Sequence, residues 1–247
     1  MSIPQLIFIV PYRDREQHQI FFAKQMKYVL EDLPDDSYKI YYIHQCDTRS
    51  FNRGAMKNIG FLVIKQLYPN DYKNITIIFN DVDTMPHTKN LLNYATTKGV
   101  IKHFYGYKYT LGGIVSITCE DFEQIGGFPN FWAWGFEDNL LQGRVILHNL
   151  FIDRTQFYPI LSKDIIQFND GVMRIANADE YNSYIKNNAD GFNDIDSLEY
   201  IINEQTGFID ITRFNTKYIQ SNKNVNHDMR KGNKINFGRA PTMKMFM

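Results

Sequence analysis

Short, unbroken apolar runs alternate with longer amphipathic stretches through the first third of the chain. Leu6 to Val10 is apolar throughout and rich in β-branched residues, the pattern of a strand buried on both faces. Asp14 stands where it can cap a helix running to about Leu33, with Ile20, Phe21, Met26, Val29, Leu30 and Leu33 at helical spacing before Pro34-Asp35-Asp36 ends it. Lys39 to Gln45 predicts a second strand. A second helix starting at Ser50 or Asn52 carries Met56, Ile59, Leu62, Val63 and Leu67, and Asn74 to Phe79 predicts a third strand. This β-α-β-α-β order predicts a three-layer α/β architecture with a mostly parallel, Rossmann-like sheet and right-handed crossovers.

Beyond Pro86 the pattern loosens. His87 to Ala95 reads as a short helix, Ile114 to Thr118 as a strand opened by Gly112-Gly113, and Glu120 to Ile125 as a short helix stopped by Gly126-Gly127. Phe131 to Gly135 forms an aromatic loop, and Glu137-Asp138 begins a helix reaching about Leu147. The last hundred residues are richer in Asn, Asp and Tyr and predict shorter strands such as Phe208 to Phe214 and Lys217 to Gln220. No linker, repeat or low-complexity tract intervenes, so residues 1–247 read as one domain with a loosely held basic tail over about 231–247.

The 27 basic and 27 acidic residues cancel, so no global field favours nucleic acid or an anionic membrane. The spacing of Cys46 and Cys119 suggests neither a zinc site nor a redox pair, and buried free thiols are the expectation. Leu6 to Val10 is too short for a signal segment or a membrane span. The reading is a soluble cytoplasmic protein, or a catalytic domain cut from something longer. Walker, G-x-G-x-x-G, G-x-S-x-G and H-E-x-x-H patterns do not occur, which argues against nucleotide hydrolases, dehydrogenases, serine esterases and zinc peptidases.

The most informative chemistry lies at Asp81-Val82-Asp83, two acids directly after the third apolar run. The exposed carboxyl ends of strands border the ligand crevice of an α/β sheet. Two carboxylates there repel each other unless a cation or donors compensate, and a hard divalent ion is their usual partner. D-x-D in this setting points to a metal holding a phosphate-bearing ligand, often a nucleotide sugar. Pro11-Tyr12-Arg13-Asp14-Arg15 and Phe51-Asn52-Arg53-Gly54 follow the two preceding strands, so Arg13, Arg15 and Arg53 converge on the same edge with donor forks suited to phosphate. Surface pairing of these arginines with Asp14, Glu16 or Asp47 remains the competing reading. Glu137-Asp138 at a helix N-terminus serves equally as a capping device or as a catalytic base beside the aromatic loop. Trp132 and Trp134 suit either a sugar face or the core. His227 is a surface histidine or the completion of a metal site begun at Asp83.

In series, Phe8-Ile9-Val10-Pro11-Tyr12-Arg13-Asp14-Arg15, Phe51-Asn52-Arg53-Gly54, Asp81-Val82-Asp83, Gly112-Gly113 and Gly126-Gly127-Phe128-Pro129-Asn130 through Trp132-Ala133-Trp134-Gly135-Phe136-Glu137-Asp138 resemble the beta-1,4-galactosyltransferase family of inverting GT-A glycosyltransferases. The resemblance spans most of residues 6–145. It implies a GT-A fold, with a nucleotide-sugar-binding half over about 1–85 and an acceptor-binding half over about 86–230. It implies Mn2+ as cofactor, a UDP-sugar donor and a glycan or glycoconjugate acceptor. The expectation of neither nucleic acid nor a membrane span comes from the charge balance and the short first apolar run, not from the family, whose usual membrane anchor is not seen here. Pro11, Arg13, Arg15, Phe51 and Arg53 are then expected on the uridine diphosphate, and Asp81 on the donor ribose or sugar. Asp83 and His227 are expected on the metal. Trp134, Gly135, Gly113, Glu137 and Asp138 are expected at the acceptor and donor sugars, with Asp138 as base and Glu137 beside it.

The departures from the family pattern are Ala133 and Phe136 in place of two glycines, and Asn224 and Asn226 near the metal histidine. Thr110 stands where galactose-specific members carry tyrosine, and the smaller residue leaves room for an N-acetyl group, so galactose and N-acetylgalactosamine are both expected donors. The resemblance leaves two further readings, a carbohydrate-binding protein that has lost transfer and a UDP-sugar hydrolase.

Overall fold

The computed structural model describes residues 3–169, 171–220 and 222–231. The basic tail expected over 231–247 therefore lies almost wholly outside the described residues. The first half forms as its pattern predicts: β1 (Leu6–Tyr12), α1 (Glu16–Val29), β2 (Tyr38–Gln45), α2 (Arg53–Leu67) and β3 (Thr76–Asn80). Three short strands follow, β4 (Thr84–Pro86), β5 (Val100–Gly106) and β6 (Ile114–Thr118), then α3 (Cys119–Gln124) and α4 (Glu137–Leu147). The remainder is β7 (Phe151–Asp153), β8 (Tyr158–Pro159), β9 (Ile165–Gln167), β10 (Met173–Asn177), α5 (Ala178–Ile185), β11 (Asp196–Asn203), β12 (Phe208–Asn215) and β13 (Asn224–Asp228).

The central sheet runs β11-β12-β2-β1-β3-β6-β5-β7, with β8 also paired to β5. β12, β2, β1 and β3 are mutually parallel, whereas β6 runs antiparallel to both β3 and β5. Alternation along the parallel strands separates two cores. Ile7, Ile9, Ile43 and Ile77 pack with Met56, Ile59 and Val63 of α2 on one face. Phe8, Val10, Tyr42 and Ile78 pack with Phe22 and Met26 of α1 on the other. Each such side chain, fully withdrawn from water, stabilises the fold by about 1.5–3 kcal/mol. The sheet thus fixes the carboxyl ends of β1, β2 and β3 side by side, with α2 starting directly from the edge that they form.

The structure corrects several expected boundaries. Asp14 does not cap α1; it adopts a left-handed φ of 51°, and the helix begins after Arg15 without a side-chain cap. The phase of α1 also differs: Phe22, Met26 and Val29 are buried, while Ile20 and Phe21 face solvent. Three consecutive apolar residues do not by themselves define a helical phase, and the i, i+4, i+7 set won. No helix forms over His87–Ala95. Bends and turns occupy 87–91, irregular chain follows with Leu92 and Tyr94 inward and Asn93 and Ala95 outward, and Gln25 donates to the carbonyls of Pro86 and His87. Lys217–Gln220 is coil, and the strand lies instead at β13. Cys119 is buried as expected, but Cys46 is exposed. Among the described residues, no helix is long and apolar enough to cross a membrane.

A buried polar strap ties α2 to the Gly126–Asn130 segment. The Asn52 side chain accepts from Ala55 N (2.9 Å), capping α2, and donates to the Asn130 carbonyl (2.9 Å). Asn58 donates to the Phe128 carbonyl and to Asn130 Oδ1 (both 2.8 Å). Asn130 in turn donates through its backbone and its side chain to the two Asp190 oxygens (both 2.9 Å). The strap leaves no room for a side chain at Gly54, where a Cβ would overlap the Pro129 carbonyl oxygen. Alanine in an exposed helix would gain about 1 kcal/mol over glycine. Gly54→Ala is expected to do the opposite and cost about 1–3 kcal/mol by overpacking, as read from chemical denaturation midpoints at constant slope.

Candidate active site

Arg53 is the first residue of α2, held at the sheet edge by the Asn52 cap. Its guanidinium meets three carboxylates: Asp81 Oδ2 at 3.1 Å, Asp138 Oδ2 at 3.2 Å and Glu137 Oε1 at 3.6 Å. Asp81 arrives from the end of β3 and the two other acids from the first turn of α4. The D-x-D segment and the acidic helix start thus share one cleft, and the surface-pairing reading fails for Arg53. The neighbouring carboxylates raise the guanidinium pKa further, overcoming the opposing effect of burial.

Lys57 completes the cluster. Its ammonium lies 3.1 Å from Asp138 Oδ1, over the Phe128 ring, with the side chain 2 % exposed. Sequence reasoning missed it. The available signal was its position four residues after Arg53, which puts both cations on one helix face, within an otherwise buried stretch. Burial pushes the Asp138 carboxyl up, but Lys57 and Arg53 together outweigh it and hold the group below its ordinary range. Glu137 shifts the other way: burial, reinforced by Asp138, raises it against the two cations. Asp138 is therefore an ionised acceptor, and Glu137 is the acid that takes up a proton more readily. Glu137 Oε2 and Arg53 Nε are both buried without a hydrogen-bond partner, although Arg53 Nε keeps its ion-pair contact with Glu137 Oε1, so Glu137 Oε2 is left with unused acceptor capacity.

The glycine pair forms the opposite wall. Asp81 N donates to the Gly113 carbonyl (3.3 Å) and Leu111 N to the Asp138 carbonyl (3.0 Å), which sets buried Thr110 one residue from that contact. A Cβ at Gly112 would strike the Asp138 carboxylate, so glycine is required there. Behind the pair sits His103, also missed from sequence. Its Nδ1 accepts from Arg154 Nε (3.1 Å), while Nε2 faces the carbonyls of Tyr105 (3.0 Å) and Gly112 (3.2 Å). Burial, with Arg154 beside it, pushes His103 down to about 4, so it braces the glycine turn as a neutral ring.

The other expected residues lie around this centre. Arg13 pairs with Asp14 (3.4 Å) and donates to the Arg49 carbonyl, and Arg15 lies 3.5 Å from His18 Nδ1. Pro11 belongs to β1, and Phe51 immediately precedes the α2 cap. Thr84 Oγ1 donates to Asp83 Oδ1 (2.9 Å), and Phe168 N donates to the Asp83 carbonyl (2.8 Å). This support orients a hard oxygen donor at the end of the D-x-D triplet and suits a divalent cation. His227, on β13 opposite Arg174 of β10, stacks on Trp134 with centroids 6.1 Å apart. It is nearly buried and not the surface histidine of the alternative reading.

The aromatic loop divides by role. Trp132 is core, stacked on Phe214, with its indole N–H donated to the Tyr218 carbonyl (2.6 Å). Trp134 is only partly buried and leads through Gly135 (φ 102°) to Phe136, which holds φ 75°. A left-handed phenylalanine is strained by about 1–3 kcal/mol; packing against Tyr181 and Tyr184 of α5 offsets it. Phe136 thereby anchors a loop that glycine would leave loose. Glu180 holds the loop from beneath, accepting from Trp132 N (2.7 Å) and Ala133 N (2.9 Å).

Comparison with known proteins places this architecture. Two solved forms of the Drosophila beta1,4-galactosyltransferase 7 catalytic domain superpose on it. The complex with xylobiose gives a TM-score of 0.67 at 20% identity, covering 88% of this chain and 96% of that one. A mutant complex with manganese, UDP-Gal and xylobiose gives 0.63 at the same identity and coverage. The fold is that of the GT-A glycosyltransferases. The sequence model for the N-terminal region of glycosyl transferase group 7 matches residues 2–95, and that for the N-terminal domain of galactosyltransferase matches 98–167. The chain belongs to this galactosyltransferase family. Beta-1,4-galactosyltransferase 4 of Rattus norvegicus is 32% identical over 164 residues, 62% of this chain and 46% of the relative. Xylosylprotein 4-beta-galactosyltransferase of Caenorhabditis elegans is 32% identical over 162 residues, 62% of this chain and 54% of the relative. The chain spans about half the length of the curated relatives it matches.

The Glu180 clamp has a pH signature. Burial raises its carboxyl from the ordinary 4.5 to about 7 against the two N–H donors. The folded state therefore binds a proton more tightly than the unfolded chain. The group's contribution is most favourable below pH 4.5, declines as pH rises, and levels off above about 7. Unfolding free energy measured against pH is expected to carry a fall of about 3 kcal/mol from this group, and Glu180→Gln is expected to remove it.

Proposed function

We propose that the chain is a metal-dependent inverting hexosyltransferase that moves galactose or N-acetylgalactosamine from a UDP-sugar to a sugar hydroxyl of a glycan acceptor. The observation that carries the reading is the meeting of Asp81 and Asp138 on one Arg53 guanidinium, which joins the D-x-D strand end to the acidic helix start in a single cleft. Family membership and the neighbouring structure solved in complex with manganese and UDP-Gal support it. The part over about 1–85 takes the nucleotide through Pro11, Arg13, Arg15, Phe51 and Arg53, and the part over about 86–230 takes the acceptor.

Asp83, oriented by the Thr84 hydroxyl, and His227 are assigned to the cation. When bound, Mn2+ supplies Lewis-acid stabilisation of the charge that grows on the departing diphosphate. Arg53 contributes fixed positive charge beside Asp81. Asp138, kept ionised by Lys57 and Arg53, accepts the proton of the incoming hydroxyl as that oxygen attacks the anomeric carbon from the face opposite the leaving group. Glu137 Oε2, without a protein partner, accepts from a neighbouring acceptor hydroxyl and fixes its orientation. Trp134 and Gly135 cover the sugars, and Gly113, where a Cβ would strike the Tyr105 carbonyl, shapes the donor side through its backbone.

Asp138→Asn is expected to lower transfer by about 10²–10⁴-fold with UDP affinity nearly unchanged, measured by turnover with manganese and by calorimetry. Normal turnover in that variant would overturn the base assignment and move it to Glu137. Asp83→Ala is expected to abolish the manganese dependence of UDP binding. Thr110, buried and bonded to the Tyr107 carbonyl (3.3 Å), is assigned to the donor-sugar pocket. Thr110→Tyr is expected to shift the ratio of N-acetylgalactosamine to galactose transfer by about 10-fold or more toward galactose, read from competition between the two UDP-sugars.

A further inference from the structure

A second constellation stands apart from the Arg53 cluster, on the α1 face of the sheet. Asp210 of β12 lies directly opposite His44 in the parallel ladder with β2, and Cys46 follows two residues on. The period-2 alternation of a strand puts Cys46 on the same side as His44. His44 Nδ1 is 2.8 Å from Asp210 Oδ1 and 3.5 Å from Cys46 Sγ, and the three donor atoms all lie within 4.8 Å of one another. Among the described residues, these three make the one cluster of histidine, cysteine and acidic side chains arranged in this way. Tyr12 and Phe208 flank the imidazole edge-on, at 5.2 and 6.0 Å between centroids, and restrict its orientation.

The arrangement is not that of an activated thiol. A cysteine nucleophile and its orienting acid would use different ring nitrogens, whereas here both approach Nδ1. Three donors gathered at one ring nitrogen instead outline a ligand set. Thiolate, imidazole and carboxylate together suit a borderline-soft ion such as zinc rather than the hard cations that favour oxygen alone. Bond lengths of zinc to these atoms in tetrahedral geometry separate neighbouring donors by about 3.4–3.6 Å. The Nδ1–Sγ distance already meets that value. The Asp210 carboxylate must retreat by about 0.6 Å on the same reckoning, and its side chain is 40% exposed.

We propose that His44, Cys46 and Asp210 form a zinc site with three protein ligands and a fourth position open to solvent, separate from the cation assigned to Asp83. On binding, the Cys46 S–H proton passes to buffer as the S–Zn bond forms. The imidazole proton moves from Nδ1 to Nε2, freeing Nδ1 to ligate, and Asp210 exchanges its hydrogen bond for the metal. The ion then cross-links β2 to β12, a strand from the part of the chain that neither family model reaches. A ligand bound only by the folded state stabilises it by mass action, so zinc pins the C-terminal strands to the nucleotide-binding sheet.

The test is zinc titration of the metal-free chain against a chromophoric chelator, with the alkylation rate of Cys46 followed in parallel. Buried Cys119 provides the internal control. One equivalent of zinc is expected to slow Cys46 alkylation at least about 10-fold, and cobalt in its place is expected to give a thiolate-to-metal charge-transfer band. Cys46→Ser and Asp210→Asn are expected to weaken zinc by at least about 10-fold, since even outer-shell partners of a metal contribute that much. Absence of zinc binding overturns the proposal. So does zinc bound with Cys46 alkylation unchanged, or bound equally by Cys46→Ser, either of which places the ion elsewhere. Because Cys46 reactivity and the cobalt band are readable in the unaltered chain, a variant that fails to fold does not decide the matter.

Discussion

Everything at the cleft depends on compensating carboxylates that cannot share a buried space unaided. The end of β3 and the first turn of α4 bring Asp81, Glu137 and Asp138 into a region largely withdrawn from water, and their mutual repulsion would separate the two elements. The Arg53 fork bridges them, and Lys57 takes the remaining Asp138 oxygen. A buried ion cluster of this kind contributes little net stability, because desolvation offsets attraction. What it supplies is position: the acidic helix start and the D-x-D strand end keep their relation only while both cations are present. One more acid than cation is present, which gives a physical reason for the opposite directions in which Glu137 and Asp138 shift.

That cluster is useful only because uncharged contacts hold its carriers rigid. Asn52, Asn58, Asn130 and Asp190 are each buried and hydrogen-bonded to one another or to backbone, and they bind the start of α2 to the segment that leads into α4. Removing any one would leave buried partners unsatisfied, the expensive outcome for polar groups in a low-dielectric interior. Glu180 and the left-handed Phe136 extend the same frame to the aromatic loop. The loop therefore reports on α5 and β10, elements just past the matched family region, and His227 on β13 joins it by stacking on Trp134. The distal third of the chain is thus part of the site's scaffold.

The two clusters differ in kind. The Arg53 cluster pairs fixed opposite charges. At His44, Cys46 and Asp210, three potential donors meet with a single hydrogen-bonded imidazole between them. The carboxyl edge of β3 carries Asp81, whereas the second cluster pairs His44, near the carboxyl end of β2, with Asp210 near the start of β12.

Local pattern determined the strands β1, β2 and β3, the helices α2 and α4, and the aromatic loop, because continuous apolar runs and helical periodicity report burial directly. It also placed Asp81-Val82-Asp83 and Arg53 at one sheet edge, since both follow consecutive strands, while Glu137-Asp138 joined them only through the family resemblance. The phase of α1 and the non-helical course of His87–Ala95 were settled by packing, where Phe22 outcompeted its apolar neighbours and Leu92 and Tyr94 found partners only with alternate residues inward. Polar strands such as β13 carry no apolar alternation and become strands only by pairing with β10. His103 and Glu180 have no distinctive local context, and Lys57 has only its helical spacing from Arg53. Their roles come from a carboxylate, a carbonyl pair and two loop amides that sequence separation conceals and that only the folded chain brings within reach.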